Sequence, residues 1–247
     1  MKRISLVLCI SSILILLLVM FISCGLGCEP LLSSRAQKAY NVLKSKVDRY
    51  RDGLAVELYS ANIMSNVIFK DNSYPSALLR FEEENTRRVF ATTLGHDSGV
   101  IRRLTEIMNT LSLKGDHAED LDIAIGFFKQ LTTVTDLAIR LLHRHLSQIN
   151  LARLRNSLML ELDFVNIINS IVLYLDRFMK ARVDIISKIK SLIKTAAAKR
   201  GDKRAMINDL KALSSVEGEI SKLILDKLVD NAFKIEHRLS ITFKWDN

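Results

Sequence analysis

Cysteine is scarce in this chain of 247 residues: its three copies stand at positions 9, 24 and 28, and none follows. Beyond Cys28 there is therefore neither a disulfide framework nor a thiolate zinc cluster, and a fold there must be held by its core. Proline occurs only at 30 and 75, so little interrupts a helix. The nine glycines are scattered, which leaves no glycine-rich phosphate loop. Tryptophan occurs once, as Trp245. Acid is the minority charge, with 27 Asp and Glu against 36 Lys and Arg, a formal +9.

What the chain does have, at its start, is one long apolar run. Lys2 and Arg3 precede Ile4–Ile22, which only Ser5, Cys9, Ser11 and Ser12 interrupt before Ser23 and Cys24. A membrane anchor and a removed signal peptide both begin this way. The run is near the lower limit for spanning a bilayer, which takes about 20 apolar residues. Gly25-Leu26-Gly27-Cys28-Glu29-Pro30 follows it, with no basic stop-transfer cluster. A cysteine after a small residue fits a bacterial lipoprotein cleavage site better. Residues 1–23 are then a signal peptide, Cys24 carries palmitate-type chains, and 24–33 form a short tether. Strict sites place Leu three residues before the cysteine and Ala or Gly just before it, whereas Phe21 and Ser23 stand here, a relaxed version. Cys28 is the second candidate for acylation. The expected location is the cell outer membrane, lipid-anchored and surface exposed.

From Tyr40 apolar residues recur at helical spacing: Leu43, Val47, Tyr50, Leu54, Leu58 and Ala61. That is one long helix, with Gly53 as the place for a bend. Asp71–Pro75 ends it, and Ser76 caps a second helix running to about Leu94. Gly95-His96-Asp97-Ser98-Gly99 breaks the chain, and Asp97 or Ser98 caps a helix with Ile101, Leu104, Met108 and Leu111. A turn at Lys114–Asp116 leads to a fourth helix carrying Leu121, Ala124, Phe128, Leu131, Val134, Ala138, Leu142 and His145. Residues from Leu151 to about Lys180 carry two apolar stripes. One holds Leu162, Val165, Ile168, Val172 and Leu175; the other holds Phe164, Ile167, Ile171, Tyr174 and Phe178. Two stripes on one helix imply burial on most sides, the central helix of a bundle, whose pattern continues to Ile193 and stops at Gly201. Ser214 and Glu217 spell a capping box for a last helix through Ile220, Leu223, Ile224, Leu228 and Phe233. The fold expected is all-α, a single-domain bundle of about seven helices over 34–238. Residues 239–247 alternate with period two and read as an extended C-terminal tail.

No segment supports catalysis. His96, Asp97 and Ser98 carry the letters of a hydrolase triad, but adjacent residues cannot converge into one relay, and helix capping explains them. His143 and His145 lie two apart, about 200° round a helix, and cannot share a metal. Glu82–Glu84 suit the positive end of a helix dipole. No cofactor and no metal is expected.

The charge surplus is concentrated. Removing Lys2 and Arg3 leaves 34 basic and 27 acidic residues, and 180–211 alone hold ten basic and three acidic ones, so the remainder sums to zero. Lys199, Arg200, Lys203 and Arg204 cluster about a turn. A solvated face and a functional patch explain them equally, and outside a cell lipid headgroups, sulfated glycans or an acidic protein are better ligands than nucleic acid. Arg200-Gly201-Asp202 also spells an integrin-recognised tripeptide, a match that arises by chance often. Phe243 and Trp245 are the aromatic candidates for contacting a partner.

One stretch resembles a known family. Tyr74-Pro75 opens a helix with Arg87, Arg88, Phe90 and Leu94; after a break come Ile101, Leu104, Ile107 and Leu111. This looks like the Borrelia surface lipoproteins grouped as complement regulator-acquiring surface proteins, whose relaxed lipoboxes the Phe21–Cys24 segment also resembles. The similarity is mostly confined to 60–145, and its motifs are weak. It implies a surface-displayed helical bundle whose members variously bind factor H, act on later complement components, bind plasminogen or matrix, or have no known ligand. No ligand-binding residue carries over. The partners to weigh are thus a membrane through the lipid, a host serum or matrix protein with a complement regulator favoured, and a second copy as a homodimer. An adhesin for matrix, plasminogen or sulfated glycan, and a periplasmic structural lipoprotein, are the alternatives. The leading reading expects the tail and the basic turn 199–204 to lie together on one exposed end.

Overall fold

Leu43, Val47 and Leu54 fall on one side of a helix by their spacing, and all three are buried. They belong to α1 (Ser34–Met64), which stays helical through Gly53. The computed structural model describes residues 33–64, 84–111, 118–157 and 161–244. The signal segment, Cys24, Cys28, the tether before Ser33, the turns at Asp71–Pro75 and Lys114–Asp116, the Ser76 cap and Trp245 lie outside the described residues.

After α1 come α2 (Glu84–Thr93) and α3 (Ser98–Thr110). Helix α4 (Ala118–Ile139) continues into a wider turn, Arg140–His145, and α5 (Gln148–Arg155) follows. The centre is α6 (Glu161–Ala198), and α7 (Lys203–Ser214) comes next. Helix α8 runs through Glu219–Leu223, a wider turn Ile224–Val229, and Asp230–Lys244 without a break. No strand occurs among the described residues, and the protein is the all-α single-domain bundle expected of it.

The break before α3 has the local chemistry its sequence implied. Gly95 and His96 take left-handed φ angles of 58° and 55°, and the Asp97 carboxylate accepts from the Val100 N–H at 3.1 Å. The two stripes of α6 also behave as read for the most part. Phe164, Ile171 and Phe178 are buried with Val165, Ile168 and Leu175, and α6 packs against α1, α3, α7 and α8. Leu162 is the exception, an exposed residue on the outer side.

Four expectations are corrected. The central helix starts at Glu161, not Leu151; Leu151 and Leu154 are buried from the separate α5, which Ser147 opens by accepting from the Asn150 N–H at 3.2 Å. The capping box does not form, because Ser214 ends α7 and α8 opens after Gly218, whose Cα faces the Ala212 and Ser215 carbonyls too closely for a side chain. The 239–247 tail is not extended as far as it is described, since α8 reaches Lys244. Leu228, Asn231, Ile235, Leu239 and Thr242 are all buried at helical steps of four and three, and this period overrides the apparent alternation. Phe233 is outside the core: it stands five residues after Leu228, about 140° round the helix, and is 65% exposed.

Side-chain contacts fix the direction of each helix. Lys46 and Tyr50 both donate to Asp176, at 2.8–3.0 Å, and Arg182 donates to Glu57 at 2.7 Å, so α1 and α6 run the same way. Lys188 pairs with Glu219, and the Lys234 ammonium lies 5.6 Å from the Tyr174 ring centre, so α8 returns antiparallel. Helix α4 also returns, from Asp120 beside Lys203 to His145 beside Glu236. The bundle therefore has a near end, where α1 and α6 begin and α5 and α8 finish, and a far end at the 199–204 turn. The 38 residues of α6 separate them by about 57 Å.

Candidate functional site

The basic turn sits at the far end, and the fold brings acids to it. Lys199 pairs with Asp209 of α7 at 2.8 Å, Arg200 with Glu106 of α3 at 2.5 Å, and Lys203 with the buried Asp120 of α4 at 2.6 Å. Lys211 pairs with Glu119 at 3.0 Å. Of the four cations singled out, only Arg204 is exposed with no carboxylate partner among the described residues. The cluster thus ties α6 and α7 to α3 and α4. It also takes up the Arg200-Gly201-Asp202 tripeptide, since Asp202 caps α7 by accepting from the Ala205 N–H at 3.1 Å.

Phe243 lies at the other end of the molecule. Its half-buried ring carries the Arg153 guanidinium 4.3 Å from its centre. Phe243 and the basic turn are therefore not neighbours, against the arrangement expected of them, because α8 is antiparallel to α6 and ends where α6 begins. The same near end holds Tyr40 of α1. Its phenol is pushed above the ordinary value by burial, opposed by the nearby Arg155 guanidinium of α5.

A surface that sequence reasoning missed lies along α8. The Asp230 N–H bonds the Leu225 carbonyl five residues back, which widens the helix by one residue in a π turn. Such turns occur frequently at functional sites. Beside it a groove of about 540 Å³ opens between α6 and α8, edged by Arg177, Lys180 and Asp184 on one side and by Asp226, Lys227 and Asp230 on the other. Leu225 and Phe233 flank the same turn on the outer face, 61% and 65% exposed, with Val229 between them. The Phe233 ring lies parallel to that of His237, with the ring centres 6.3 Å apart. The signal was present in the sequence: Leu225, Val229 and Phe233 recur every four residues, out of phase with Ile224, Leu228 and Ile235.

The triad letters prove structural. Asp97 caps α3, and His96 Nε2 lies 2.8 Å from the Glu57 carbonyl, which can only accept, so Nε2 is the donor. Of the other pair, His143 is exposed and His145 is partly covered. Among the described residues no group of three or more His, Cys, Asp or Glu could hold a metal ion. No helix among them is long and apolar enough to cross a membrane. No family model, no curated protein and no solved structure matches the chain.

Proposed function

We propose that this is a lipid-anchored surface protein whose helical bundle binds a host protein, a complement regulator or complement component first among the candidates. The anchor rests on the apolar leader ending at Cys24, and the complement assignment rests on the resemblance to Borrelia surface lipoproteins. The observation that supports binding is the flank of α8. Leu225, Val229 and Phe233 stand outside the core on the outer face of α8, a chemistry suited to a partner, since large side chains at the centre of an interface dominate its energetics.

A second reading, an adhesin for matrix protein, plasminogen or sulfated glycan, draws on Arg177, Lys180 and Lys227. All three are exposed at the groove with no carboxylate partner among the described residues. They replace the 199–204 turn as the cations for that role, because most of that turn is already ion-paired.

The test is capture of serum and plasma proteins by the full acylated chain in vesicles, at low and physiological salt. Salt-resistant capture of a complement protein, lost in Phe233→Asp, supports the leading reading. Capture lost with salt and in Lys180→Glu/Lys227→Glu transfers the assignment to the adhesin. No capture under either condition removes both.

A further inference from the structure

Much of the charge that the sequence concentrates in 180–211 is met by carboxylates in the folded molecule. At the far end, Arg102, Lys199, Arg200, Lys203, Arg204 and Lys211 stand with Glu106, Glu119, Asp120, Asp202 and Asp209, six cations with five carboxylates. At the near end, among the described residues, the first turns of α1 and α6 and the last turns of α5 and α8 carry Arg35, Lys38, Arg153, Arg155 and Lys244 against Glu161 and Asp163. Arg35, Lys38 and Arg153 are exposed, and none of the three is joined to a carboxylate among the described residues. Arg153 instead lies on the Phe243 ring, and Leu162, in the first turn of α6, is exposed at the same end.

This is also the end at which the chain enters the bundle. Cys24 precedes Ser34 by ten residues, which reach at most about 36 Å when fully extended. A lipid on Cys24 therefore keeps the start of α1 close to the bilayer, while α6 can carry the 199–204 turn about 57 Å beyond. A short tether alone permits the bundle to lie on its side or stand. The charge asymmetry among the described residues selects between these: one end is positive with an arginine, an aromatic ring and a leucine at its surface, and the other is close to balanced. Near an anionic surface each exposed Lys or Arg strengthens binding about fivefold at physiological salt.

We propose that the near end, through Arg35, Lys38 and Arg153, rests on the anionic lipid headgroups of the leaflet that holds the anchor, so that the bundle stands with its 199–204 turn outward. The occupant is the membrane surface itself, and the inference rests on the lipid-anchor reading above. It makes the near end a second, electrostatic contact. It also leaves the α8 flank, roughly midway along the bundle, facing sideways and open to a partner.

The single tryptophan, one residue after Lys244 in the chain, reports on this contact without a label. The full acylated protein is reconstituted into vesicles of neutral phosphatidylcholine or of phosphatidylcholine with phosphatidylglycerol, each in brominated form. Flotation in 1 M salt is measured first; protein that fails to float overturns the anchor reading, and the proposal with it. For protein that floats, quenching of tryptophan by brominated lipid should be roughly threefold stronger in anionic than in neutral vesicles. The difference should vanish in Arg35→Glu/Lys38→Glu, in the same variant with Arg153→Glu, and in wild-type protein at 0.5 M salt. Circular dichroism of each variant establishes that the helices are intact. Equal quenching in the two vesicle types, or a difference that survives both charge reversals and salt, overturns the proposal while leaving the anchor in place.

Discussion

Removing the Glu57 carboxylate should destabilise the bundle more than removing the arginine it pairs with. The Arg182 guanidinium is 3% exposed in the core of α6, and its acidic partner among the described residues is Glu57, at 2.7 and 3.5 Å through the two terminal nitrogens. Its Nε is buried without a hydrogen-bond partner. In Glu57→Ala a buried cation is left uncompensated, which in general costs about 3–5 kcal/mol. The Glu57 side chain is 41% exposed, so water reaches the vacated position and the lower figure, about 3 kcal/mol, applies. For a domain of this size each kcal/mol moves Tm by about 2–4 °C, giving a drop of roughly 6–12 °C. In Arg182→Met the volume is largely kept, the buried charge disappears and the half-exposed Glu57 stays hydrated, so the cost should be about 1 kcal/mol. Glu57→Gln, which keeps a carbonyl acceptor, should fall between. The Glu57 backbone carbonyl, which accepts from His96, is unaffected in all three. Thermal unfolding at pH 7 followed by circular dichroism reads the order. A loss in Arg182→Met equal to or larger than that in Glu57→Ala would refute the desolvation reasoning.

Four further outcomes are expected. Gly126→Ala should cost about 1–3 kcal/mol, because a Cβ there overlaps the Ser214 carbonyl oxygen and must push α7 from α4. Gly53→Ala, in open space on α1, should stabilise by about 0.5–1 kcal/mol; urea midpoints compare the two. Asp136→Asn should stabilise at neutral pH. Burial raises the Asp136 pKa, with Arg140 opposing, so the folded state holds its proton more tightly than the unfolded one. The contribution is favourable below the unfolded carboxylate value of 3.8 and is lost as pH rises through the folded value, so the benefit of Asn should fade on acidification through that range. A variant advantage that persists at pH 3 would contradict it. Phe233→Asp, by contrast, should change Tm little, because its ring lies outside the core.

Where the sequence was legible, one periodicity governed many residues. Helices α1, α3, α4 and the body of α6 each present an unbroken run of core positions, and the Asp97 cap follows from its side chain and its place before that run. Boundaries were harder. Leu151 and Leu154 share the phase of α6 yet belong to α5, and what separates the readings is the end of α5 at Asn156, where the Ser157 hydroxyl donates back to the Leu154 carbonyl. Residues 239–244 alternate in hydrophobicity over too short a span to reveal that Thr242 is buried and in helical phase with Leu239. The ion pairing of the basic turn was hidden for a different reason. Charge counted along the chain is local, whereas Glu106, Glu119 and Asp120 reach the turn only through the packing of α3 and α4 at the far end. The α8 flank could have been found as a second stripe at four-residue spacing, but that stripe was folded into the core face through Phe233.

The most direct measurement is protease treatment of intact cells making the full chain, labelled with a clickable palmitate analogue. A surface lipoprotein is labelled, is digested by protease added outside, and loses the label in Cys24→Ala while keeping it in Cys28→Ala. A protein that carries the label but survives digestion until the envelope is broken, or one that is never labelled, contradicts the assignment.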